Sequence, residues 1–144
     1  MRECLWVGLI LVALFGCSGK PYSVAQVSGK VTLDGKPLAK ASITFAPMAT
    51  KENIAPGPTA TGLTDADGHY TLIFDKSTPG AVVGKCRIYI TSVVSDGVAD
   101  DRDGGPPVKR VKDKVPIKYN LNTELTYDVP ASGTDQANFD LFSK

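Results

Sequence analysis

Apolar and polar residues alternate along most of the chain beyond residue 25, as they do in β-strands that bury one face. The clearest case is 85–94, where Cys86, Ile88 and Ile90 occupy every second position between polar residues. No stretch has the three-to-four-residue spacing of an amphipathic helix. The pattern therefore predicts an all-β fold with seven short strands, at 27–33, 41–45, 59–64, 70–74, 85–94, 124–129 and 137–142.

Turn-forming residues separate these segments. Asp-Gly-Lys-Pro at 34–37 and Asp-Ala-Asp-Gly at 65–68 predict tight turns, because glycine takes a positive φ freely and aspartate hydrogen-bonds its neighbouring backbone. The segment 95–114 is rich in charge, glycine and proline, which predicts a long polar loop. Short strands with turns between them favour a β-sandwich.

The beginning of the chain has a different pattern. Residues 5–15 form an unbroken apolar run of 11 residues, whereas a membrane-spanning helix needs about 20. This length and position predict a cleaved export signal rather than a buried core helix. The run ends in Leu-Phe-Gly-Cys at 14–17, which resembles the bacterial lipobox. That resemblance implies cleavage before Cys17 and lipidation of Cys17, whose acyl chains would hold the protein on a membrane.

Three segments are therefore expected. They are a lipoprotein signal peptide at 1–16, a lipidated tether at 17–24 and one domain at 25–144. Of the three cysteines, Cys4 would leave with the signal peptide and Cys17 would carry the lipid, so Cys86 would have no partner for a disulfide. The formal net charge of +1 gives no reason to expect nucleic acid as a partner.

The mature chain resembles the carboxypeptidase regulatory-like, or transthyretin-like, family of β-sandwiches, in the short lipoprotein version common in planctomycete bacteria. The motifs that carry this resemblance are VSGKVTLDGKPL at 27–38, ITF at 43–45, TDADGHY at 64–70, PG at 79–80, GKCRIYI at 84–90, VPIKYN at 115–120 and NFDL at 138–141. Cys86 stands where the family usually has an aromatic residue. The resemblance implies a seven-stranded Greek-key, immunoglobulin-like sandwich and no catalytic residues.

Two acidic segments could suggest a metal. The segment 65–68 begins like a calcium loop, but it lacks the third ligand and the closing glutamate, so turn chemistry explains it better. Asp96, Asp100, Asp101 and Asp103 supply four carboxylates in the long loop, and carboxylates suit Ca²⁺. Because no scaffold would hold them together, we expect a solvated loop without metal or cofactor, and thermal melts with Ca²⁺ and with chelator should coincide.

Three further groups carry reactive side chains, but their positions in the strands argue against a reactive role. His69 is the only histidine, and its alternation with Tyr70 places it on the solvent face beside a turn. Cys86 shares the apolar face of its strand, where burial raises a thiol pKa and lowers its reactivity. A Lys30–Asn138 isopeptide link would need a desolvated lysine, but both residues lie opposite the apolar face.

Sugar-binding modules stack glycans on exposed aromatic rings, and Tyr89 is the best platform here because it alternates outward on its strand. The expected function is that of a non-catalytic cell-envelope protein, lipid-anchored on the extracytoplasmic side, with a structural or interaction role. The alternative is an extracytoplasmic module that binds a glycan or small ligand. The expected partners are the membrane, through Cys17, and an envelope protein or glycan. A pocket or aromatic patch around Tyr89 would favour the alternative.

Overall fold

The computed structural model describes residues 22–51, 54, 56–92 and 113–144. Within these ranges the chain is all-β, as predicted, and two three-residue 3-10 turns at Asp75–Ser77 and Ile117–Tyr119 are its helical elements. The strands are β1 (Val24–Ala25), β2 (Ser28–Leu33), β3 (Lys36–Pro37), β4 (Ser42–Pro47), β5 (Ala60–Leu63), β6 (His69–Thr71), β7 (Ile73–Phe74), β8 (Thr78–Pro79), β9 (Ala81–Val82), β10 (Gly84–Thr91), β11 (Thr126–Val129) and β12 (Phe139–Leu141).

Most of these strands belong to two sheets. The larger sheet has the order β11-β10-β4-β5-β7-β8 and is antiparallel throughout. In the smaller sheet, β2 pairs in parallel with β12 and antiparallel with β3 and β6. β1 and β9 form a separate two-stranded ribbon. Rings from the two sheets meet in the interior, where Phe45 of β4 lies 6.0 Å from Phe139 of β12 between ring centroids. The arrangement is therefore sandwich-like.

The predicted strand at 70–74 is divided in the structure. Its first part, β6, pairs with β2 of the smaller sheet, whereas its second part, β7, pairs with β5 of the larger sheet. Leu72 lies between them, fully buried, and its backbone N–H donates to the carbonyl of Val27. The chain thus crosses from one sheet to the other at Leu72, and the alternation of side chains does not reveal this change of partner.

The interior follows the predicted alternation. Ile43 and Phe45 of β4 face Ile88 and Ile90 of β10 across the same ladder, and all four side chains are fully buried. Cys86 continues this buried row, as predicted. The remaining buried hydrophobic residues are Ala25, Val27, Val31, Leu38, Ala41, Ala60, Tyr70, Leu72, Phe74, Ala81, Val82, Val115, Val129, Ala137, Phe139 and Leu141.

The last three residues of the predicted tether, 22–24, lie against the sandwich. The ring of Tyr22 packs edge-on against Phe74, with 5.7 Å between ring centroids. The carbonyl of Ser23 accepts a hydrogen bond from the Val83 N–H, and Val24 begins β1. The folded part described here therefore includes three residues before position 25.

The Asp-Ala-Asp-Gly segment at 65–68 forms the predicted turn. One carboxylate oxygen of Asp65 accepts hydrogen bonds from the backbone N–H groups of Asp67 and His69, both at 2.9 Å. Gly68 has a φ of +80°, a conformation that favours glycine. These bonds hold one oxygen of the Asp65 carboxylate within the turn, and the predicted turn is confirmed.

Candidate functional site

Several residues singled out in the sequence lie outside the described ranges. These residues are the lipidation candidate Cys17 and the four loop carboxylates Asp96, Asp100, Asp101 and Asp103. Their interpretations therefore remain predictions. Within the described residues, no cluster of three or more histidine, cysteine, aspartate or glutamate side chains is arranged to hold a metal ion.

His69 lies on the exposed face of β6, where the alternation placed it. Its backbone N–H, rather than its ring, makes the hydrogen bond to Asp65. The side chain borders a shallow polar depression of about 630 Å³ that also includes Lys30, Asp135 and Asn138. The imidazole therefore sits on an open sheet surface, without the enclosed and oriented setting that general-base catalysis requires.

Cys86 is fully buried on the inner face of β10. Its sulfur lies 3.7 Å from the carbonyl oxygen of Val82 and 3.6 Å from that of Gly84. Burial, with a smaller contribution from the negative charge of Asp128, raises the pKa of the Cys86 thiol to about 11. The thiol is therefore protonated near neutral pH and packs as a small apolar side chain, as predicted.

Lys30 and Asn138 are neighbours, but the Asn138 side chain contacts the backbone of Lys30, whereas an isopeptide link would join it to the lysine side chain. The side-chain oxygen of Asn138 accepts a 2.9 Å hydrogen bond from the backbone N–H of Lys30. Asn138 is exposed, and Lys30 is half-buried. The asparagine thus extends the hydrogen bonding between the β12 region and β2.

The strongest candidate site is an apolar groove beside Tyr89, which we call the Tyr89 groove. Tyr89 and Thr91 point outward from β10, and the segment 113–121 packs along them. The groove has a volume of about 690 Å³. Its lining residues are Tyr89, Thr91, Asp113, Val115, Pro116, Ile117, Asn120 and Leu121.

A compact turn presents the apolar wall of this groove. Pro116 precedes the 3-10 turn Ile117–Tyr119, and its carbonyl accepts the Tyr119 N–H at 2.9 Å. The turn leaves Ile117 56% exposed and Leu121 84% exposed. On its other side, the Tyr119 hydroxyl accepts the backbone N–H of Phe142, which ties the turn to the C-terminal strand region. Two large apolar side chains are thus held at the surface by a fixed backbone.

Asp113 fixes the base of the groove. Its carboxylate accepts hydrogen bonds from the Thr91 hydroxyl at 2.6 Å, from the backbone N–H groups of Ser92 and Val115 at 2.9 Å each, and from the Asn120 amide at 3.2 Å. The Ser92 hydroxyl also donates to it. Although burial opposes ionisation, the hydrogen bonds from Ser92, Thr91 and Val115 lower the pKa of Asp113 below its usual value. The carboxylate is therefore a structural anchor between the end of β10 and the apolar turn.

A second, smaller depression of about 280 Å³ lies on the other side of Tyr89. It is bordered by Arg87 of β10 and by the end of β4 with the residues after it, including Pro47 and Met48. Tyr89 lines both depressions, so its half-buried ring forms the ridge between them. The pocket around Tyr89 that would favour a ligand-binding role is therefore present.

The sequence identified Tyr89 but missed the residues opposite it. Asp113 was assigned to the solvated loop at 95–114, and Ile117 and Leu121 were given no role. The one local indication was Val-Pro-Ile-Lys-Tyr-Asn at 115–120, a short apolar-rich segment beside a long polar loop. Nothing in that segment itself shows that it packs beside Tyr89.

Replacement of Asp113 tests this anchor. We expect Asp113→Asn to lower the free energy of unfolding by about 2 kcal/mol near neutral pH, because the amide replaces one acceptor oxygen with a donor and removes the charge that strengthens the other bonds. Since the folded-state pKa is lowered, the contribution of the carboxylate is present above the pKa of an unfolded aspartate, about 3.9, and is lost as pH falls through the folded-state value.

Urea denaturation of both proteins across this pH range provides the measurement. The difference between the wild type and Asp113→Asn should be constant above about pH 5 and should shrink as the pH falls below about 4. Asp135→Asn is the matched control, because Asp135 is exposed and accepts one 3.3 Å side-chain bond from Gln136. An equal effect of the two substitutions would show that Asp113 does not hold the groove together.

The fold and the groove define a class: an all-β, sandwich-like domain with a surface groove built around one tyrosine. Comparison with protein-family models, curated proteins and solved structures finds no match to this chain. In the part of the chain that the structure describes, no helix is long and apolar enough to cross a bilayer.

Proposed function

We propose that this chain is a non-catalytic ligand-binding protein of a bacterial cell envelope, lipid-anchored at Cys17 on the extracytoplasmic side. The apolar run at 5–15 and the lipobox-like Leu-Phe-Gly-Cys at 14–17 support export and anchoring. The Tyr89 groove supports the binding role and favours it over a purely structural one.

The observation that carries the binding role is the composition of the groove. One aromatic ring and the side chains of Val115, Ile117 and Leu121 form an apolar floor and wall, while Thr91, Asp113 and Asn120 lie at one end. Binding sites typically combine an apolar lining with a few polar groups that orient the ligand. The groove thus suits a small ligand or a glycan unit that has an apolar face of about ring size and hydroxyl or amide groups along its edge.

The same residues support a role without catalysis. The acidic group of the groove, Asp113, already accepts hydrogen bonds from Thr91, Ser92, Val115 and Asn120. The thiol of Cys86 is buried away from the groove, and its raised pKa keeps it protonated. Covalent catalysis needs a nucleophile activated by an adjacent base, and Asp113 and Cys86 do not form such a pair.

We further propose the seven-stranded transthyretin-like arrangement for the domain. Its support is the correspondence between the seven predicted segments and β2, β4, β5, the β6–β7 pair, β10, β11 and β12. The remaining strands have two residues each: β3 and β8 lie at sheet edges, and β1 and β9 form the separate ribbon. The family-like motifs at 27–38 and 64–70 lie on β2 and on the turn before β6.

Substitution of Tyr89 tests the binding role. We expect soluble chito- or cello-oligosaccharides to shift the NMR signals of Tyr89, Ile117 and Leu121. Tyr89→Ala should weaken this binding about fivefold, since ring stacking on an aromatic side chain contributes on the order of 1 kcal/mol.

Ile73→Ala is the control for this titration. Ile73 lies outward on β7 of the same sheet, separated from β10 by β4 and β5, and it is 37% exposed, whereas Tyr89 is half-buried. Removal of the Ile73 side chain should leave the affinity for the oligosaccharide unchanged. Binding that Tyr89→Ala leaves intact, or shifts that map to the polar depression near His69, would overturn the assignment of the groove.

A further inference from the structure

The edges of the two sheets are unequally protected. Pro37 lies in β3 and Pro79 lies in β8, and proline is one of the residues that keep an edge strand from pairing with another chain. On the opposite flank, β11 ends the larger sheet and contains no proline. Tyr127 of β11 packs on Phe139 of β12, with 5.9 Å between ring centroids, so this flank is closed by side chains but β11 remains an edge.

The register with β10 shows which backbone groups of β11 point outward. Ile88 N–H donates to the carbonyl of Leu125, and Tyr127 lies opposite Cys86 two positions further along. In an antiparallel ladder such positions alternate, so Leu125 and Tyr127 bond to β10, whereas the N–H and C=O groups of Thr126 and Asp128 point away from it. Within the described ranges, no hydrogen bond engages these outward groups. Both residues are exposed.

We propose that β11 pairs antiparallel with β11 of a second copy of this chain, with the two-fold axis at Tyr127. In this register Thr126 lies opposite Asp128 of the second copy and, by the two-fold symmetry, Asp128 lies opposite Thr126 of the second copy. The outward groups of the two strands then form four backbone hydrogen bonds. On the outer face, each Thr126 hydroxyl lies beside an Asp128 carboxylate.

The chain already uses this side-chain pair between two of its own strands. Thr32 of β2 lies directly opposite Asp140 of β12, and the Thr32 hydroxyl donates to the Asp140 carboxylate at 2.6 Å. The proposed contact repeats the same chemistry between two copies. Cross-strand pairs of this kind stabilise a ladder, whereas like charges at opposite positions destabilise it.

Charge selects the register as well. An axis at Asp128 would place two Asp128 carboxylates opposite each other, and an axis at Thr126 would place Asp128 opposite Glu124 of the second copy. Both alternatives bring like charges together. Among the registers that pair the outward groups of Thr126 and Asp128, an axis at Tyr127 avoids such a contact. The strand can therefore pair with its own copy without charge repulsion, and this is why we choose a second copy as the partner.

Site-specific cross-linking in the full chain tests the register. Thr126→Cys and Asp128→Cys chains carrying different tags are co-expressed and oxidised in the intact envelope. Opposite residues in a bonded antiparallel pair have Cα atoms about 5.5 Å apart, which suits a disulfide. We expect the mixed Thr126→Cys with Asp128→Cys dimer to form in clear excess over either like-with-like dimer, while wild-type chains, in which Cys17 would be lipidated and Cys86 is buried, show only background.

A second measurement tests the backbone contact. Asp128→Pro removes the outward N–H that β10 does not use, so the sandwich should keep its thermal unfolding profile. In sedimentation of the full chain in mild detergent, the wild type should form a reversible dimer, and Asp128→Pro should raise its dissociation constant on the order of tenfold or more, because two intermolecular bonds are lost. Asp128→Ala keeps the N–H, so it should have a smaller effect.

Several outcomes would overturn the proposal. In sedimentation, these are a wild type that stays monomeric at all concentrations and an Asp128→Pro dimer of unchanged affinity. In cross-linking, they are equal yields of like and unlike pairs, or cross-links mainly to a different protein. The last result would make β11 a docking edge for a foreign strand. None of these outcomes bears on the Tyr89 groove, because its lining includes no residue of β11.

Discussion

Gly29→Ala is expected to lower the free energy of unfolding by about 3 kcal/mol, because a methyl group at this position has no space. Gly29 is buried in β2, and a Cβ atom built on it would lie 2.0 Å from the carbonyl oxygen and 2.5 Å from the carbonyl carbon of Ala137. The same oxygen accepts the Tyr70 hydroxyl at 2.6 Å. Both clashing atoms belong to the backbone, so relief would require the β12 region to move away from β2.

Chemical denaturation of the purified protein measures this effect. Gly35→Asn serves as the control, since Gly35 has a φ of +78°, asparagine tolerates that region, and a Cβ atom at this position would have open space within 4 Å. Its cost should be about 1 kcal/mol or less. If both substitutions cost the same, close approach of the two strands is not what requires glycine at position 29.

Cys17→Ser is expected to abolish lipidation and to release the protein from the membrane fraction. Each buried CH₂ of an acyl chain contributes about 0.8 kcal/mol, so several chains on one cysteine hold a domain firmly, and Cys17→Ser removes all of them. The measurement is incorporation of an alkyne-labelled fatty acid, together with fractionation of washed membranes. Both the label and membrane retention should fall to background.

The matched control for this experiment is Cys4→Ser, in the same N-terminal segment. Because Cys4 would be removed with residues 1–16, its substitution should leave labelling and membrane retention unchanged. Continued labelling of the Cys17→Ser protein would refute lipidation at this position. Loss of label in both variants would indicate a general failure of export rather than a specific role of Cys17.

The Tyr89 groove and the proposed dimer contact use different parts of the same strand pair. The groove uses the outward side chains at the end of β10 and the turn beyond Asp113. The dimer contact uses the backbone edge of β11, which lies beside the beginning of β10. Pairing along the edge of a sheet leaves its outer face open, so one protein can use both surfaces at once.

Local features of the sequence determined much of the fold. The two-residue period of a strand places alternate side chains on opposite faces, and this was sufficient to put Cys86, Ile88 and Ile90 inside and Tyr89 outside. The turn at 65–68 followed from the conformational freedom of glycine and the short reach of the Asp65 carboxylate. These requirements act over a few neighbouring residues, which is why the sequence expresses them directly.

Only the tertiary structure decided which segments meet. Alternation in 70–74 is the same whether the strand keeps one partner or changes sheets at Leu72. The packing of Asp113 and Ile117 beside Tyr89, and the close approach of Ala137 to Gly29, join residues that are far apart along the chain. Such contacts depend on the pairing and register of distant strands, because a strand's own pattern specifies its buried face but not the neighbour that covers it.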